Sequence, residues 1–220
     1  MNGVATGPGD EPERTDPRGT RGPTMTAGAT RDALWSALLR DRVATYPLPP
    51  HGHHPNFVGA REAAAALLAH PAVQRHACLI VGAERALYPL RRQALAAGVT
   101  LYVPDQKRDG WYFRVRDARG ADLKALREHG EPHLQPVGAT AAVLACVAVD
   151  RAGGRLSKGF GWGARGVPRL PDLPVFTVAH PAMLQDALPC PPDSRVQVIG
   201  LPGEALHVQG PDAQTPSPPT

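Results

Sequence analysis

The sequence predicts an α/β fold, a three-layer α/β/α sandwich around a mostly parallel, Rossmann-like sheet, and three observations lead there. Short apolar runs alternate with helical patterns along the chain. Several of the runs are apolar at every position, as strands covered on both faces are. Glycine or proline closes nearly every segment. With 220 residues, 42% of them hydrophobic and 20% charged, the chain suits one domain with one core.

Residues 1 to about 28 combine Gly, Pro, Thr and charge with almost no large apolar side chain, so burial cannot offset their ordering entropy, and they are expected to be disordered. The same holds from about Gln209 to Thr220, where Pro211, Pro216, Pro218 and Pro219 punctuate a polar tail. A single domain is therefore expected over residues 29–208. Thr30 is a suitable N-cap for a helix carrying Leu34, Trp35, Leu38 and Leu39 on one face. A proline-rich loop follows from Pro47 to Pro55, and Arg61 to His70 reads as an alanine-rich helix that Pro71 ends. Ala77 to Val81 is a buried strand closed by Gly82. Pro89 opens a helix that runs to Ala97, with Gly98 as its C-terminal cap.

Thr100 to Val103 is the next strand, and Trp111 to Val115 alternates like one nearer an edge. A short helix is expected over residues 121–129. Ala141 to Val149, apolar on both faces, is the strongest strand pattern and leads into a turn at Asp150 to Gly154. Val175 to Val178 and Arg195 to Ile199 are further short strands around a helix over residues 182–188. Ligands bind such sheets beyond the carboxyl ends of their strands, which directs attention to the loops after Val81, Val103 and Val149.

Composition narrows the function classes. The longest apolar runs fall far short of the ~20 residues that cross a bilayer. The N-terminus carries Asp10, Glu11 and Glu13 and no basic stretch followed by an apolar one, so a cytoplasmic location is expected. Cys78, Cys146 and Cys190 are widely separated, which argues against a disulfide framework or a zinc knuckle. The net charge of +4 permits an anionic partner, but the arginines are scattered and no basic block is interleaved with aromatics, which argues against nucleic acid.

The most informative segment is Gly153 to Gly163, with five glycines, Arg155 and Lys158 within eleven residues. Glycines let backbone amides approach an anion closely, and Lys158 can neutralise a phosphate. It matches neither the P-loop nor the dinucleotide fingerprint. A phosphate cradle and an ordinary hairpin or surface loop both fit its composition. His51, His53 and His54 invite a metal site, but zinc needs a further ligand and a fixed geometry, so a solvated loop at the edge of a cleft is the plainer reading. His180 reads as a strand-end histidine with a local hydrogen bond, and either of Arg91 and Arg92 can be a solvated helix residue.

Arg155, Leu156, Gly159 and Gly161 stand in the register of a glycine-rich motif of the 5-formyltetrahydrofolate cyclo-ligase (methenyltetrahydrofolate synthetase) family, Gly-x-Arg-Leu-Gly-x-Gly-x-Gly-Tyr-Tyr-Asp-Arg. Trp162 takes the place of its first tyrosine. Pro55 to Ala60 resembles the Pro-Asn-Phe-x-Gly-Ala segment of the branch that includes methenyltetrahydrofolate-synthetase-domain proteins. Leu90 to Leu95, with Gly98 and Leu101 to Pro104, is similar to a third family stretch. Together with an early helix bearing Arg31 and Trp35, the resemblance spans about residues 31–199.

The resemblance implies an α/β/α sandwich and an ATP- and Mg²⁺-dependent conversion of 5-formyltetrahydrofolate to 5,10-methenyltetrahydrofolate through a phosphorylated formyl group. It implies Lys158 and Arg155 as catalytic cations, and Gly159, Gly161, Trp162, Arg31 and Arg91 around the nucleotide. Phe57 and Tyr102 would then stack on the substrate ring. Two positions depart from the family pattern. Ala27 stands where it has a lysine, and Ala164 where it has an acid, so the residues that would hold a metal are not assigned; Asp150 and Asp172 are the carboxylates considered in its stead. These departures keep open a second reading, a family relative that binds a folate, nucleotide or other anion without turnover.

Overall fold

The structure, a computed structural model, describes residues 25–208. The tails expected at 1–28 and 209–220 lie outside those residues, except for Met25 to Gly28. These four correct the first boundary. Helix α1 (Ala27–Arg40) begins at Ala27 because the Thr26 hydroxyl, not Thr30, accepts the amide of Ala29. Strands β1 (Ala44–Thr45) and β2 (Asn56–Phe57) pair across the proline-rich loop.

Helices α2 (Ala60–Ala69) and α3 (Pro71–Gln74) precede β3 (Cys78–Val81), and α4 (Tyr88–Ala96) precedes β4 (Thr100–Pro104). Next come β5 (Tyr112–Val115), α5 (Leu126–His129), β6 (Gly130–His133) and β7 (Ala141–Val143). The run predicted as one strand over Ala141 to Val149 is broken. Residues 144–147 carry the chain out of the large sheet and into a second one, as β8 (Ala148–Asp150). The run is apolar throughout because every residue from Ala141 to Val149 is buried, in whichever sheet it lies. Periodicity cannot reveal such a crossing.

The hairpin partner of β8 is β9 (Gly154–Leu156), and β10 (Val175–Val178) returns to the large sheet. The helix expected over 182–188 is instead a 3₁₀ turn, Pro181–Met183, followed by β11 (Leu184–Gln185). Pro189, Pro191 and Pro192 leave no room beyond it for helical hydrogen bonding. The chain ends with β12 (Ser194–Arg195), β13 (Val198–Leu201) and β14 (Glu204–His207).

The large sheet has the order β14-β13-β10-β7-β3-β4-β5-β6. Its five central strands pair in parallel, and antiparallel partners flank them at both sides. The expected α/β class and mostly parallel sheet are therefore present. Helix α2 packs over β13 and β10, and α4 packs on α2 and β4. The small sheet, β11-β8-β9-β12, has its own apolar cluster of Ala148, Leu156 and Cys190, against which Ala27 and Leu34 of α1 pack.

The closest approach of helix and sheet is at Gly200. A Cβ there would lie 2.6 Å from the Ala63 carbonyl oxygen and 2.7 Å from Leu67 Cβ. Backbone cannot yield as a flexible side chain can, so Gly200→Ala is expected to cost about 1–3 kcal/mol through overpacking. Urea denaturation would measure it, and an unchanged midpoint would show that α2 lifts freely off the sheet.

Candidate active site

Where β3 and β4 end, the loops that follow them meet the glycine-rich loop. The resulting cleft, about 430 Å³, is bordered by Glu84 after β3, by Asp105, Lys107 and Asp109 after β4, and by Lys158 and Trp162. A second, more apolar cleft of about 450 Å³ adjoins it, sharing Asp109 and Trp162 and bounded by Tyr112, Val137 and Leu170. Two of the three loops singled out from the sequence thus form the cleft. The third, the turn after Val149, does not, because it is the hairpin turn between β8 and β9 of the small sheet.

The root of the glycine-rich loop is held by a compact polar network. Asp193 accepts from the Ser157 amide at 2.8 Å, the Ser157 hydroxyl at 2.7 Å and Arg31 Nη2 at 2.8 Å. Arg31 Nε also donates to the Ser157 carbonyl at 2.6 Å. The Gly159 amide in turn donates to Ser157 Oγ, and Gly159 has φ +94, lying so close to the Arg31 guanidinium that a Cβ would meet Cζ at 3.1 Å. Glycine is required there on both grounds.

Burial pushes the Asp193 carboxyl up, but its bonds from Ser157 and the charge of Arg31 more than offset this and leave it below its ordinary value of 3.8. The folded form therefore favours the ionised acid. Its contribution to stability is complete above that ordinary value and is lost as pH falls through the depressed one. Asp193→Ala should lose about 2 kcal/mol near neutral pH, since it strips a charge-assisted acceptor from three donors. The difference from wild type should shrink in acid, which a pH series of denaturation midpoints would reveal.

Beyond this root the tip of the loop is held mainly through carbonyls, Gly161 accepting the Ala164 amide and Gly163 accepting from Arg155. Lys158 Nζ lies 4.6 Å from the centroid of the exposed Phe160 ring and 3.9 Å from where a Gly161 Cβ would be. It forms no ion pair among the described residues. The amides of Phe160, Gly161, Trp162 and Gly163 have no acceptor among the described residues either. Gly161 takes φ +79, and the Trp162 ring meets Tyr112 edge-on. Of the site residues expected from the sequence, Lys158 and Trp162 line the cleft, whereas Gly159 and Gly161 border a separate hollow with Phe160 and Gly163.

The other cations are occupied. Arg155 is 1% exposed: Nε and Nη2 donate to the Ala145 carbonyl at 2.9 and 2.6 Å, and Nη1 to the Gly163 carbonyl and Ser194 Oγ at 3.0 Å each. It ties the loop's end to the crossing between the sheets and does not face a ligand. Arg91 is likewise 1% exposed, donating to the carbonyls of Ala121, Gly82 and Glu84. Burial lowers its pKa to about 10, against the pull of Glu84 and Asp122. It braces the turn that presents Glu84 rather than contacting a nucleotide. Arg31 spends Nε and Nη2 on Ser157 and Asp193, leaving Nη1 against Gly159.

The expected stacking residues are also corrected. Phe57 is buried, packing edge-on to His180. Tyr102 is buried with its hydroxyl donating to the Val137 carbonyl at 3.0 Å, so it supports the wall of the second cleft from behind. Both are apolar at strand positions, and a strand's inward face leads to the core as readily as to a pocket. His180 caps its 3₁₀ turn, accepting the Ala182 amide. Asp150 accepts the amides of Gly154 and Leu188 within the hairpin turn, and Asp172 is exposed in a turn away from the cleft lining. No group of three or more potential metal ligands exists among the described residues.

Sequence reasoning missed the cleft's acids and His54. Glu84 and Asp109 follow strand ends, which was a usable signal. The histidine cluster drew attention to His54 only as a metal candidate or a solvated loop residue at a cleft edge; it is buried, whereas His51 is exposed beside Trp35 and Ser36. Its Nε2 accepts the Lys158 amide at 3.3 Å, and its Nδ1 lies 3.3 Å from Glu84 Oε1.

No protein-family model matches the chain. It is similar to two methenyltetrahydrofolate synthase domain-containing proteins. That of Danio rerio is 29% identical over 144 residues, 60% of this chain and 38% of the relative. That of Mus musculus is 27% identical over 175 residues, 71% of this chain and 47% of the relative. Among solved structures, Aquifex aeolicus 5,10-methenyltetrahydrofolate synthetase aligns with 83% of this chain and 95% of its own at a TM-score of 0.54. The chain is thus similar, at low identity, to proteins named for methenyltetrahydrofolate synthase domains. At 17% identity the solved structure shows the fold alone, and the chain spans less than half the length of the curated relatives it matches. The cyclo-ligase resemblance at Arg155 to Gly161 thus falls on a loop that borders the cleft, with its arginine turned inward.

Proposed function

We propose that this chain is a ligase that closes the ring of 5-formyltetrahydrofolate to 5,10-methenyltetrahydrofolate at the expense of ATP. The observation that carries the reading is the glycine-rich loop: it brings Lys158, without an ion pair among the described residues, and Trp162 to a cleft beyond the carboxyl ends of parallel strands, and beside them the amides of Phe160 to Gly163 have no acceptor among those residues. ATP with Mg²⁺ would supply a phosphoryl group to the formyl oxygen, making it a leaving group that the neighbouring N10 displaces.

The chain's own residues then bind and orient. Lys158 and the amides from Phe160 to Gly163 fit the oxygens of a polyphosphate, and Lys158 offsets the charge that accumulates there during transfer. Asp109, at the junction of the two clefts and without an ion pair among the described residues, is a carboxylate suited to the magnesium shell. Trp162 offers a flat aromatic face to a ring in the apolar cleft.

One set of observations favours the second reading, a binding protein without turnover. Arg155 and Arg91 are spent on carbonyls, Arg31 largely on Ser157 and Asp193, and Ala27 and Ala164 supply neither cation nor acid. The deciding experiment incubates the purified chain with 5-formyltetrahydrofolate, ATP and Mg²⁺ and follows the near-ultraviolet absorbance of the conjugated product. Turnover supports the ligase. Measurable binding of folate or ATP with no product selects the second reading.

A further inference from the structure

His54 lies in the loop between β1 and β2, just before the Pro55 to Ala60 segment. The side chain is 0% exposed. Nε2 accepts the Lys158 amide, which places the ring proton on Nδ1, facing Glu84 Oε1 at 3.3 Å. That approach is of ion-pair length but poorly aligned for a hydrogen bond, and Glu84 Oε2 is buried with no partner. The histidine thus touches both sides of the cleft: the acid after β3 on one side and the first residue of the loop tip on the other.

We propose that His54 is a positioning residue whose neutral ring seats the glycine-rich loop through the Lys158 amide and orients Glu84 into the cleft. Protonation would turn Nε2 from acceptor to donor, set two N–H groups against each other, and release the loop together with Lys158. Three charged groups face the ring. Burial, Arg155 and Lys158 oppose its protonation while Glu84 favours it, and the balance keeps it below the ordinary value of 6.5. Loop release is therefore expected only below the ordinary histidine range. As a statement about ligand binding, this rests on the function proposed above; as a statement about the loop, it does not.

The test is amide hydrogen exchange followed by NMR on the full chain over a pH series, comparing wild type, His54→Gln and His54→Asn. A glutamine carboxamide oxygen reaches the Nε2 position and does not titrate, whereas asparagine reaches only the Nδ1 position. Protection of the Lys158 amide in wild type should fall about tenfold or more as His54 titrates, the equivalent of one net hydrogen bond. His54→Gln should stay protected throughout, and His54→Asn should be unprotected throughout. ATP affinity, measured by calorimetry with Mg²⁺, should fall in parallel for wild type but not for His54→Gln.

Lys158 protection that ignores the His54 titration overturns the proposal, as does an asparagine variant as protected as wild type. If either variant fails to fold, the wild-type series against the His54 ring shifts decides alone. Wild type that binds neither ATP nor 5-formyltetrahydrofolate, yet links Lys158 protection to His54, overturns the functional reading and leaves the positioning role intact.

Discussion

Arg155→Ala is expected to lower folding stability by about 3 kcal/mol or more, because it leaves several buried neutral acceptors without a donor. The reason is local. The guanidinium satisfies the Ala145 and Gly163 carbonyls and Ser194 Oγ, and its Nη1 also lies 3.4 Å from the Ala164 carbonyl. Without it these buried oxygens have no donor, and each orphaned acceptor costs about 1–3 kcal/mol. Arg155→Lys should recover little, because one ammonium on a flexible stem cannot reproduce the planar fork that meets Ala145 with two N–H groups. Urea denaturation measures the loss. A variant of wild-type stability that no longer bound ATP would instead return Arg155 to the ligand.

Lys158→Ala is expected to reduce turnover of 5-formyltetrahydrofolate by about a hundredfold or more, the usual effect of deleting a group that stabilises charge at a transferring centre. Stability should hardly change, within about 0.5 kcal/mol, because among the described residues the ammonium has only an exposed contact with the Phe160 ring to lose. The informative result is the split between the two measurements. Unchanged turnover would remove Lys158 from the chemistry and with it the proposed ligase. A loss of ATP affinity in a chain that never turns over would support the binding reading.

These two residues also mark how far the sequence was legible. Arg155 and Lys158 lie three positions apart in one glycine-rich segment, and the motif presents both as phosphate contacts. Arg155 lies in β9, whose burial is complete, and strand alternation sends its side chain into the space between the sheets. Lys158 comes after the strand has ended and swings out with the loop. A pattern of residue types carries no information about that change of direction. Arg91 is a similar case: on a helix it could serve solvent, a ligand or a carbonyl, and the turn after β3 claimed it.

His54 and Glu84 illustrate the reverse error, function overlooked rather than misassigned. They are thirty residues apart in the chain; the histidine cluster pointed His54 toward a metal, and nothing in the spacing pointed it toward Glu84. Only the packing of the loop between β1 and β2 against the turn after β3 brings the ring within 3.3 Å of the carboxylate.

What the sequence determined by itself was the class of fold, the main-sheet strands at Cys78, Thr100, Tyr112 and Val175, and the loops after Val81 and Val103 as walls of a cleft. Those features follow from local burial patterns and from the chain geometry of parallel strands, both written in consecutive residues. Tertiary structure alone decided where the apolar run at Ala141 leaves one sheet for another, and which cations remain free. Both depend on which buried carbonyls lack a donor, and that shortage exists only once distant segments have come together.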